Sequence, residues 1–303
     1  MAHQIIDPKK LHALVVGGVN ADIWGAPAGM FRLHDSNPGT VSVKPGGVGR
    51  NIAHDLRLLG IRVSMLTAFG GDAFSSFLQR EVNAVGIDAS LSLHLPELRS
   101  SVYLYITDDT GDMHVAISDM GITAAITPEV LEKHLPEINA YDAVILDANL
   151  PEASIAFLAA NVTAPLYADP VSAAKAPKLK RVLPALRMLK PNMLEAETLT
   201  GAYTAGEAAS LLVKAGVKRV FVSDGLFGIT AAEQGHTAHV DAIPTVSVNA
   251  TGAGDAATAA LIYTDLCGMS LEEAALLAAR AGALTVASEE TNAPNLADIL
   301  LPN

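Results

Sequence analysis

Short apolar runs alternate with helical patterns along most of the 303 residues, and this alternation leaves few architectures open. Strands separated by helices pair in parallel, because each helix carries the chain back to the same end of the sheet. Half of the residues are hydrophobic, enough for a large core. We therefore predict one domain over residues 1–303, a mostly parallel sheet covered by helices. The predicted strands are 11–16, 63–68, 143–146, 165–168, 187–189 and 219–222, and the predicted helices are 51–59, 74–85, 252–266 and 271–288.

Two intervals break this alternation. Residues 23–45 are rich in Gly and Pro and contain the strand-like stretch 40–43. Residues 98–120 contain a hairpin pattern, VYLYIT and MHVAI, around a turn at 109–111. Strands without intervening helices in a helix-rich chain predict a separate small sheet. We expect these two insertions to form a lid over one edge of the main sheet.

The charge balance argues against nucleic acid as a partner. The chain has 20 basic and 32 acidic residues, a formal net charge of -12, which repels a polyanion. A basic cluster of Lys175, Lys178, Lys180 and Arg181, with Arg187 and Lys190 beyond it, fits a solvated helix face, with a small anionic ligand as the alternative.

Several features favour a cytoplasmic protein without a membrane span. The single cysteine, Cys267, cannot form an intramolecular disulfide, which suits a reducing compartment. The first ten residues lack the pattern of a secretion signal, and charged residues interrupt the most apolar stretches.

The stretch NATGAGDAAT, 249–258, is the strongest candidate site. Glycines before a helix leave backbone N–H groups unpaired where the helix dipole favours negative charge, so an anion can bind there. Asp255, in the first turn, could accept a proton from a hydroxyl that attacks a phosphoryl group. The alternative is an ordinary glycine turn in which Asp255 complements the dipole.

Two further polar clusters lie near the amino terminus. In KPGGVGRNIAHDL, 44–56, glycines again open a helix, with Asn51 about one turn inside. Asn20 and Asp22 follow the first strand, where open α/β sheets bind ligands. A tight turn into a helix is the alternative for the first cluster. The second lacks the G-x-G-x-x-G spacing, which disfavours a nicotinamide-dependent dehydrogenase.

The stretch KPNMLEAE, 190–197, places Asn192 and Glu195 three residues apart at a helix start. The pair could hold a hydrated Mg²⁺, and a helix N-cap with its partner is the alternative. SDGLFG, 223–228, supplies two more glycines after a strand, with a hairpin turn as the alternative.

Together and in this order, these motifs resemble the PfkB (ribokinase-like) family of carbohydrate and nucleoside kinases. The resemblance covers essentially the whole chain and implies a ribokinase-like three-layer α/β/α fold with a small β lid. It implies ATP and Mg²⁺ as cofactors and transfer of the γ-phosphoryl group to a primary hydroxyl. Residues 35–60, 117–122, 169–175 and 189–201 resemble the bacterial pseudouridine kinases of this family. The implied substrate is the free nucleoside, phosphorylated on its ribose 5′-hydroxyl.

The resemblance also implies roles for individual residues. Asp255 is the expected base, and Gly252, Ala253 and Gly254 belong to the loop that holds the developing charge. Glu195 and Asn192 are expected to orient the metal. The expected substrate contacts are Asn20, Asp22, Ser36, Asn37, Gly46, Gly47, Asn51, Ser101 and Tyr103. The expected nucleotide contacts are Asn192, Ser223, Gly225, Gly228, Thr251, Ala283 and Asn292.

The sequence departs from the common family pattern at one loop. Many members read Asp-Thr-Thr before Gly-Ala-Gly-Asp, whereas this chain reads Asn249-Ala250-Thr251. Those positions commonly help to form a monovalent-cation loop, so a potassium requirement is in question.

The partner expected from these patterns is a second copy of the chain. Lid strands with open edges could pair across a two-fold axis, and we expect a homodimer. Two other functions stay open: a kinase of this fold for another nucleoside or a sugar, and a non-catalytic nucleoside or sugar sensor.

Overall fold

The computed structural model describes residues 7–110 and 113–301. Within them, the strands are β1 His12–Val16, β2 Asn20–Pro27, β3 Gly39–Gly46, β4 Arg62–Leu66, β5 Ala68–Phe69, β6 Leu93–His94, β7 Ser101–Thr107, β8 Met113–Asp119, β9 Ala143–Asp147, β10 Leu166–Asp169, β11 Met188–Leu189, β12 Arg219–Ser223, β13 Ile229–Glu233 and β14 His236–Val240. The α-helices are α1 Val48–Leu58, α2 Ala73–Ala84, α3 Pro128–Lys133, α4 Leu135–Ile138, α5 Glu152–Asn161, α6 Met193–Thr200, α7 Ala205–Lys214, α8 Ala253–Leu266 and α9 Leu271–Val286.

A sheet of eight described strands forms the centre of the molecule, in the order β14-β13-β12-β11-β10-β9-β1-β4. The pairs from β12 to β4 are parallel, whereas β12–β13 and β13–β14 are antiparallel. The parallel part follows from the helical crossovers and confirms the predicted α/β fold. The connection from β12 to β13 joins two antiparallel strands. The stretch 223–228 is therefore a hairpin turn, as the alternative interpretation of its glycines has it.

Helices cover both faces of this sheet because alternate strand residues point to opposite sides. In β1, Ala13 and Val15 pack into one core, whereas Leu14 and Val16 pack into the other. The first core is closed by α1, α2, α8 and α9, and the second by α3, α5, α6 and α7. Strands buried on both sides explain why the sequence reads as continuous apolar runs.

The lid is a separate four-stranded sheet in the order β3-β2-β7-β8. Its members come from both predicted insertions, and the hairpin between β7 and β8 has the predicted antiparallel pairing. Gly111, in the predicted turn, lies outside the described residues. The lid begins three residues before the predicted interval, because β2 starts at Asn20. Periodicity does not reveal this strand, since its first residues are buried against the body while the rest are half-buried.

Predicted and observed boundaries agree to within a few residues. Helix α1 begins at Val48 and not at 51, and the predicted strand 63–68 divides into β4 and β5. In the described part of the chain, no helix is both long and apolar enough to cross a membrane.

Candidate active site

The start of α8 forms an anion-binding turn. Gly252 adopts φ 86° and ψ -11° before the helix begins at Ala253. A side chain on Gly252 would overlap the carbonyl oxygen of Thr291, so both the dihedral angle and the packing require glycine. The N–H groups of the first helical turn have no intrahelical acceptor and lie at the positive end of the helix dipole.

Lys190 adds a positive charge beside this turn. It follows β11, is only 5% exposed, and its ammonium lies 3.7 Å from the point where Gly254 would carry a Cβ. The sequence places Lys190 just beyond a basic cluster that fits a solvated helix face, whereas in the structure Lys190 is buried. The signal that could identify it is its position directly after a buried strand.

Asp255 lies one residue beyond the glycine turn and is partly buried. Its Oδ2 accepts a hydrogen bond from Nδ2 of Asn51 at 2.8 Å. Burial and the negative charge of Asp169 raise the pKa of Asp255 to about 7, while the Asn51 hydrogen bond and the charge of Lys190 oppose the rise. A carboxylate with a pKa near neutrality can accept a proton at physiological pH.

Arg50 holds Asn51 in the orientation that faces Asp255. Its Nη1 donates to Oδ1 of Asn51 at 3.2 Å and to Oδ1 of Asn292 at 2.5 Å. Nδ2 of Asn292 donates to the backbone oxygen of Asn51 at 3.1 Å and to Oδ1 of Asp55 at 2.9 Å. With Asn51 Oδ1 occupied, the amide presents its donor to Asp255. Sequence reasoning misses Arg50, although a charged residue beside Asn51 at a helix start is a usable signal.

Asp22 lies at the other side of the site, at the root of the lid. Burial raises its pKa to about 6, against the hydrogen bond from Asn20 and the charge of Arg50. A side chain on Gly46 would overlap the Asp22 carboxylate, because β2 and β3 pair here. The structure therefore brings the predicted substrate residues Asn20, Asp22, Gly46, Gly47 and Asn51 to one corner.

The carboxyl ends of neighbouring parallel strands supply two carboxylates that sequence reasoning misses. Asp147 ends β9 and Asp169 ends β10, and the two stand opposite each other in register. Asp147 accepts the backbone N–H groups of Gly18 and Gly49 at 2.8 and 3.0 Å. Asp169 accepts the hydroxyl of Thr258, which lies one turn beyond Asp255. A polar residue at the end of each strand is the signal that could find them.

Asn192 and Glu195 form the helix cap that was the alternative to a metal site. The Asn192 side chain accepts from the Glu195 backbone, and Oε2 of Glu195 accepts from the Asn192 backbone, both at 2.9 Å. Burial and the charge of Asp169 raise the pKa of Glu195. Within residues 7–110 and 113–301, no group of three or more His, Cys, Asp or Glu side chains is placed to hold a metal. The donors suit Mg²⁺ that keeps most of its water, since that ion binds through few carboxylates.

A cavity of about 320 Å³ adjoins the α8 turn. Apolar side chains line most of it, among them Ile229 and Ile243. Four of the predicted nucleotide contacts line it, Ser223, Gly225, Gly228 and Ala283, together with Ala253 and Gly254 of the predicted catalytic loop. Thr251 is exposed on the adjoining loop. Asn292 is not among the residues that line this cavity, and its amide forms hydrogen bonds with Arg50, Asn51 and Asp55.

The remaining predicted substrate residues belong to the lid. Ser36 is exposed, and the Asn37 side chain closes its own loop through hydrogen bonds with the backbone of Arg32 and Asp35. Ser101 is 1% exposed, and Tyr103 stands opposite Asp22 across the β2–β7 pair. The structure does not bring Ser36 and Asn37 to the Asp22 corner.

Two solved structures with the same architecture are those of kinases. A ribokinase from Thermotoga maritima superposes with a TM-score of 0.86 at 23% identity, covering 96% of this chain and 99% of that one, and a carbohydrate kinase from Agrobacterium tumefaciens gives 0.86 at 29%, covering 96% and 95%. The molecule thus has the ribokinase-like α/β fold.

Sequence comparison identifies the family. The model of the pfkB family of carbohydrate kinases matches residues 10–298, so the chain belongs to this family and is a phosphotransferase with a hydroxyl acceptor. It is 36% identical to a pseudouridine kinase from Escherichia coli over 95% of this chain and 94% of that protein. It is also 31% identical to the uncharacterized sugar kinase YeiI of Escherichia coli, over 94% and 81%.

Proposed function

We propose that the protein transfers the γ-phosphoryl group of ATP to the ribose 5′-hydroxyl of pseudouridine, with Mg²⁺. The observation that carries the reaction type is Asp255, held by Asn51 directly beyond the unpaired amides of α8. The 36% identity to a pseudouridine kinase over almost the full length of both chains supports the choice of nucleoside. Pseudouridine has a carbon-linked base, but its ribose carries the same hydroxyl groups as that of an ordinary nucleoside.

In this mechanism the 5′-oxygen attacks the γ-phosphorus as its proton passes to Asp255, and ADP leaves. General-base assistance of this kind is worth about 10²- to 10⁴-fold. The amides of Ala253, Gly254 and Asp255 donate to the phosphoryl oxygens, and Lys190 offsets their charge. Such fixed donors often supply the largest catalytic contribution. When bound, Mg²⁺ would neutralise phosphate charge, and Glu195 and Asn192 would hold it.

The ribose contacts come from the corner between lid and body. Asp22 accepts hydrogen bonds from ribose hydroxyls, and Asn51 donates to one. Gly46 and Gly47 let the sugar approach the backbone closely. A buried acceptor without its hydroxyl costs about 1–3 kcal/mol, so the site rejects sugars that lack the matching hydroxyls. Ser101 and Tyr103 extend this corner towards the base, and Ser36 and Asn37 reach it when the lid closes.

The nucleotide occupies the cavity beside α8. Ser223, Gly225 and Gly228 contact the phosphates and ribose, Thr251 lies beside the phosphates, and Ala283 packs against the adenine. We do not assign Asn292 to the adenine, since the hydrogen bonds of its amide serve Arg50 and Asn51.

A homodimer through the lid completes the proposal. One face of the lid is aliphatic: cross-strand pairing places Val43, Ile23, Leu104 and Ile117 in one row. Val41 in the next row is 75% exposed and Ile117 is 63% exposed. An exposed apolar sheet face of this kind is typical of a protein interface. A free nucleoside and ATP as substrates fit a cytoplasmic enzyme.

A kinase for a different nucleoside or a sugar is the second candidate, favoured by the similarity to sugar kinase YeiI. The test is ATP consumption with Mg²⁺ and pseudouridine, uridine, adenosine, inosine, ribose or fructose. We expect the highest kcat/KM with pseudouridine. Preference for another compound would reject that nucleoside while keeping the kinase mechanism, and binding without turnover would favour a sensor.

A further inference from the structure

The two faces of the lid sheet differ in chemistry. Residues two apart in a strand share a face, and register places Trp24 opposite Tyr105 in the same way that Asp22 stands opposite Tyr103. Asp22, Trp24, Tyr103 and Tyr105 therefore share one face, and the aliphatic rows occupy the other. All three rings are half-buried. The aromatic face is the one that continues from the candidate substrate corner.

Contacts hold these rings as a group beside Asp22. The rings of Tyr103 and Tyr105 are 5.6 Å apart, centroid to centroid, at 33°. Nε1 of Trp24 donates to Oγ1 of Thr107 at 3.2 Å, which fixes the indole with its polar atom satisfied. Burial and the charge of Asp22 raise the pKa of both tyrosines, consistent with their closeness to that carboxylate.

The spacing suits a nucleoside. A step of two residues along β2, from Asp22 to Trp24, is about 7 Å, which matches the extent of a ribose with its attached base. A ribose held by Asp22 thus places a planar ring over the aromatic side chains. A free sugar offers this surface only C–H groups, whereas a planar base can stack on it with its full face.

We propose that Trp24 and Tyr105, with Tyr103, form a stacking platform for the base, so that the substrate class is nucleosides and not free sugars. The assignment of Asp22 to the ribose rests on the proposed function. The platform itself rests on strand register and ring contacts. Stacking tolerates any planar base, so it selects the class, while hydrogen bonds select the member.

Trp24 is the only tryptophan of the chain, so intrinsic fluorescence reports on the platform directly. The first experiment titrates Asp255→Asn, which cannot consume the ligand, with pseudouridine, uridine and ribose. We expect saturable quenching by both nucleosides and none by ribose. Equal responses to ribose and nucleosides, or no response to either nucleoside at millimolar concentration, would overturn the platform.

The second experiment compares kcat/KM for pseudouridine and ribose in Trp24→Leu, Tyr105→Leu and Trp24→Phe. We expect the two leucine variants to lose about 5- to 100-fold with pseudouridine, from the usual strength of base stacking, and to keep their activity on ribose. Trp24→Phe should restore most of the loss. Tyr203→Leu, which removes an 81% exposed ring far along the chain, is the matched control and should change neither substrate.

The two proposals fail separately. If the wild type prefers pseudouridine while the leucine variants lose equally on both substrates, the platform is wrong and the proposed function stands. If the wild type prefers a sugar, the proposed function is wrong, and the fluorescence titration still decides whether a base binds at Trp24.

Discussion

At Asp255 the surroundings decide the charge. An exposed aspartate is ionised at neutral pH, whereas here burial and Asp169 raise the pKa to about 7 and only Asn51 and Lys190 oppose them. The raised pKa is a cost to stability, because ionising a carboxyl in the folded state is harder than in the unfolded chain. The same cost is what gives the group useful basicity near pH 7.

Replacing this carboxyl tests both consequences. We expect Asp255→Asn to lower kcat by about 10²- to 10⁴-fold and to change the KM for the nucleoside little. Because the wild-type base must be deprotonated, kcat/KM should rise with pH through about 7, and the variant should lose that rise. Steady-state kinetics between pH 5.5 and 8.5 measure both.

The same variant separates catalysis from folding. A raised carboxyl pKa means that the folded state binds more protons than the unfolded state, so stability falls as pH rises from about 4 to 7. Asp255→Asn removes this loss, and its Tm at pH 8 should equal or exceed that of the wild type. A variant that is inactive and also less stable at pH 8 would contradict this account of Asp255.

Single elements act here through how they begin and what they contact. The start of α8 depends on Gly252, and the loop of residues 288–292 that packs against it also contacts α1 through Asn292. A short loop therefore links the candidate nucleotide and substrate sides of the site. Local sequence patterns do not show this link, because the partners are more than 200 residues apart.

A methyl group at Gly252 should disturb the anion-binding turn itself. Gly252→Ala meets both the positive φ and the carbonyl of Thr291, and we expect kcat/KM to fall at least about tenfold, as when an oxyanion donor is misplaced. Gly201→Ala is the matched control, with φ 77° and open space around it. Gly201→Ala should lower the unfolding free energy by about 1 kcal/mol and leave the activity unchanged. Equal kinetic effects would contradict the clash at Thr291.

Removing the amide of Asn292 should leave the buried Asp55 without its amide partner, and Arg50 with only its hydrogen bond to Asn51. We expect Asn292→Ala to lower the unfolding free energy by about 1–3 kcal/mol in urea titrations. Asn295→Ala, three residues on and exposed, should change it by less than about 0.5 kcal/mol. Similar values for the two variants would show that the buried network contributes little.

The loop before α8 predicts how the enzyme responds to potassium. Oδ1 of Asn249 accepts from the Thr251 backbone at 2.9 Å, and Nδ2 donates to the Glu289 carbonyl at 3.4 Å. The Lys44 ammonium lies 3.0 Å from Glu290. A neutral, engaged amide beside a lysine attracts a cation weakly, so exchanging KCl for tetramethylammonium chloride should change kcat/KM by less than about twofold. A tenfold activation by K⁺ would disprove this, and Asn249→Asp should increase any response.

At the scale of the whole molecule, one sheet carries the candidate active site and the other carries the proposed dimer interface. The main sheet is buried by helices on both faces, and sites in such sheets form at the carboxyl ends of the strands. The aliphatic face of the lid leaves Val41, Val115 and Ile117 exposed. An exposed apolar sheet face of this kind favours association with another protein surface.

The proposed dimer predicts a change of mass when that face is charged. We expect the wild type to sediment as a dimer, and Ile117→Lys to sediment as a monomer, because an unpaired charge in an apolar interface is strongly unfavourable. Leu194→Lys, at a 62% exposed position on α6, is the matched control and should stay dimeric. A monomeric wild type would reject the interface.

The fold class could be predicted from the sequence because strands that are buried on both faces are written as continuous apolar runs. Strands 143–146 and 219–222 read as apolar runs, and α8 and α9 read as long helices, since local sequence alone sets those patterns. The start of β2 was not predicted, because the burial of its residues depends on how the lid packs. The anion-binding turn at Gly252 could also be predicted, since unpaired amides at a helix start are a local property.

Tertiary structure alone decided which distant residues meet. Asn51 reaches Asp255 across 204 positions, and Asp147 faces Asp169 because two parallel strands end together. Charge and pKa at Asp255 depend on those neighbours and on burial, so no local pattern contains them. The sequence by itself determined the helices and strands and the residues whose side chains could take part in chemistry. The arrangement of these residues around one site, with the carboxylates of Asp147 and Asp169 beneath it, depends on long-range packing. Such packing brings together residues that are distant along the chain.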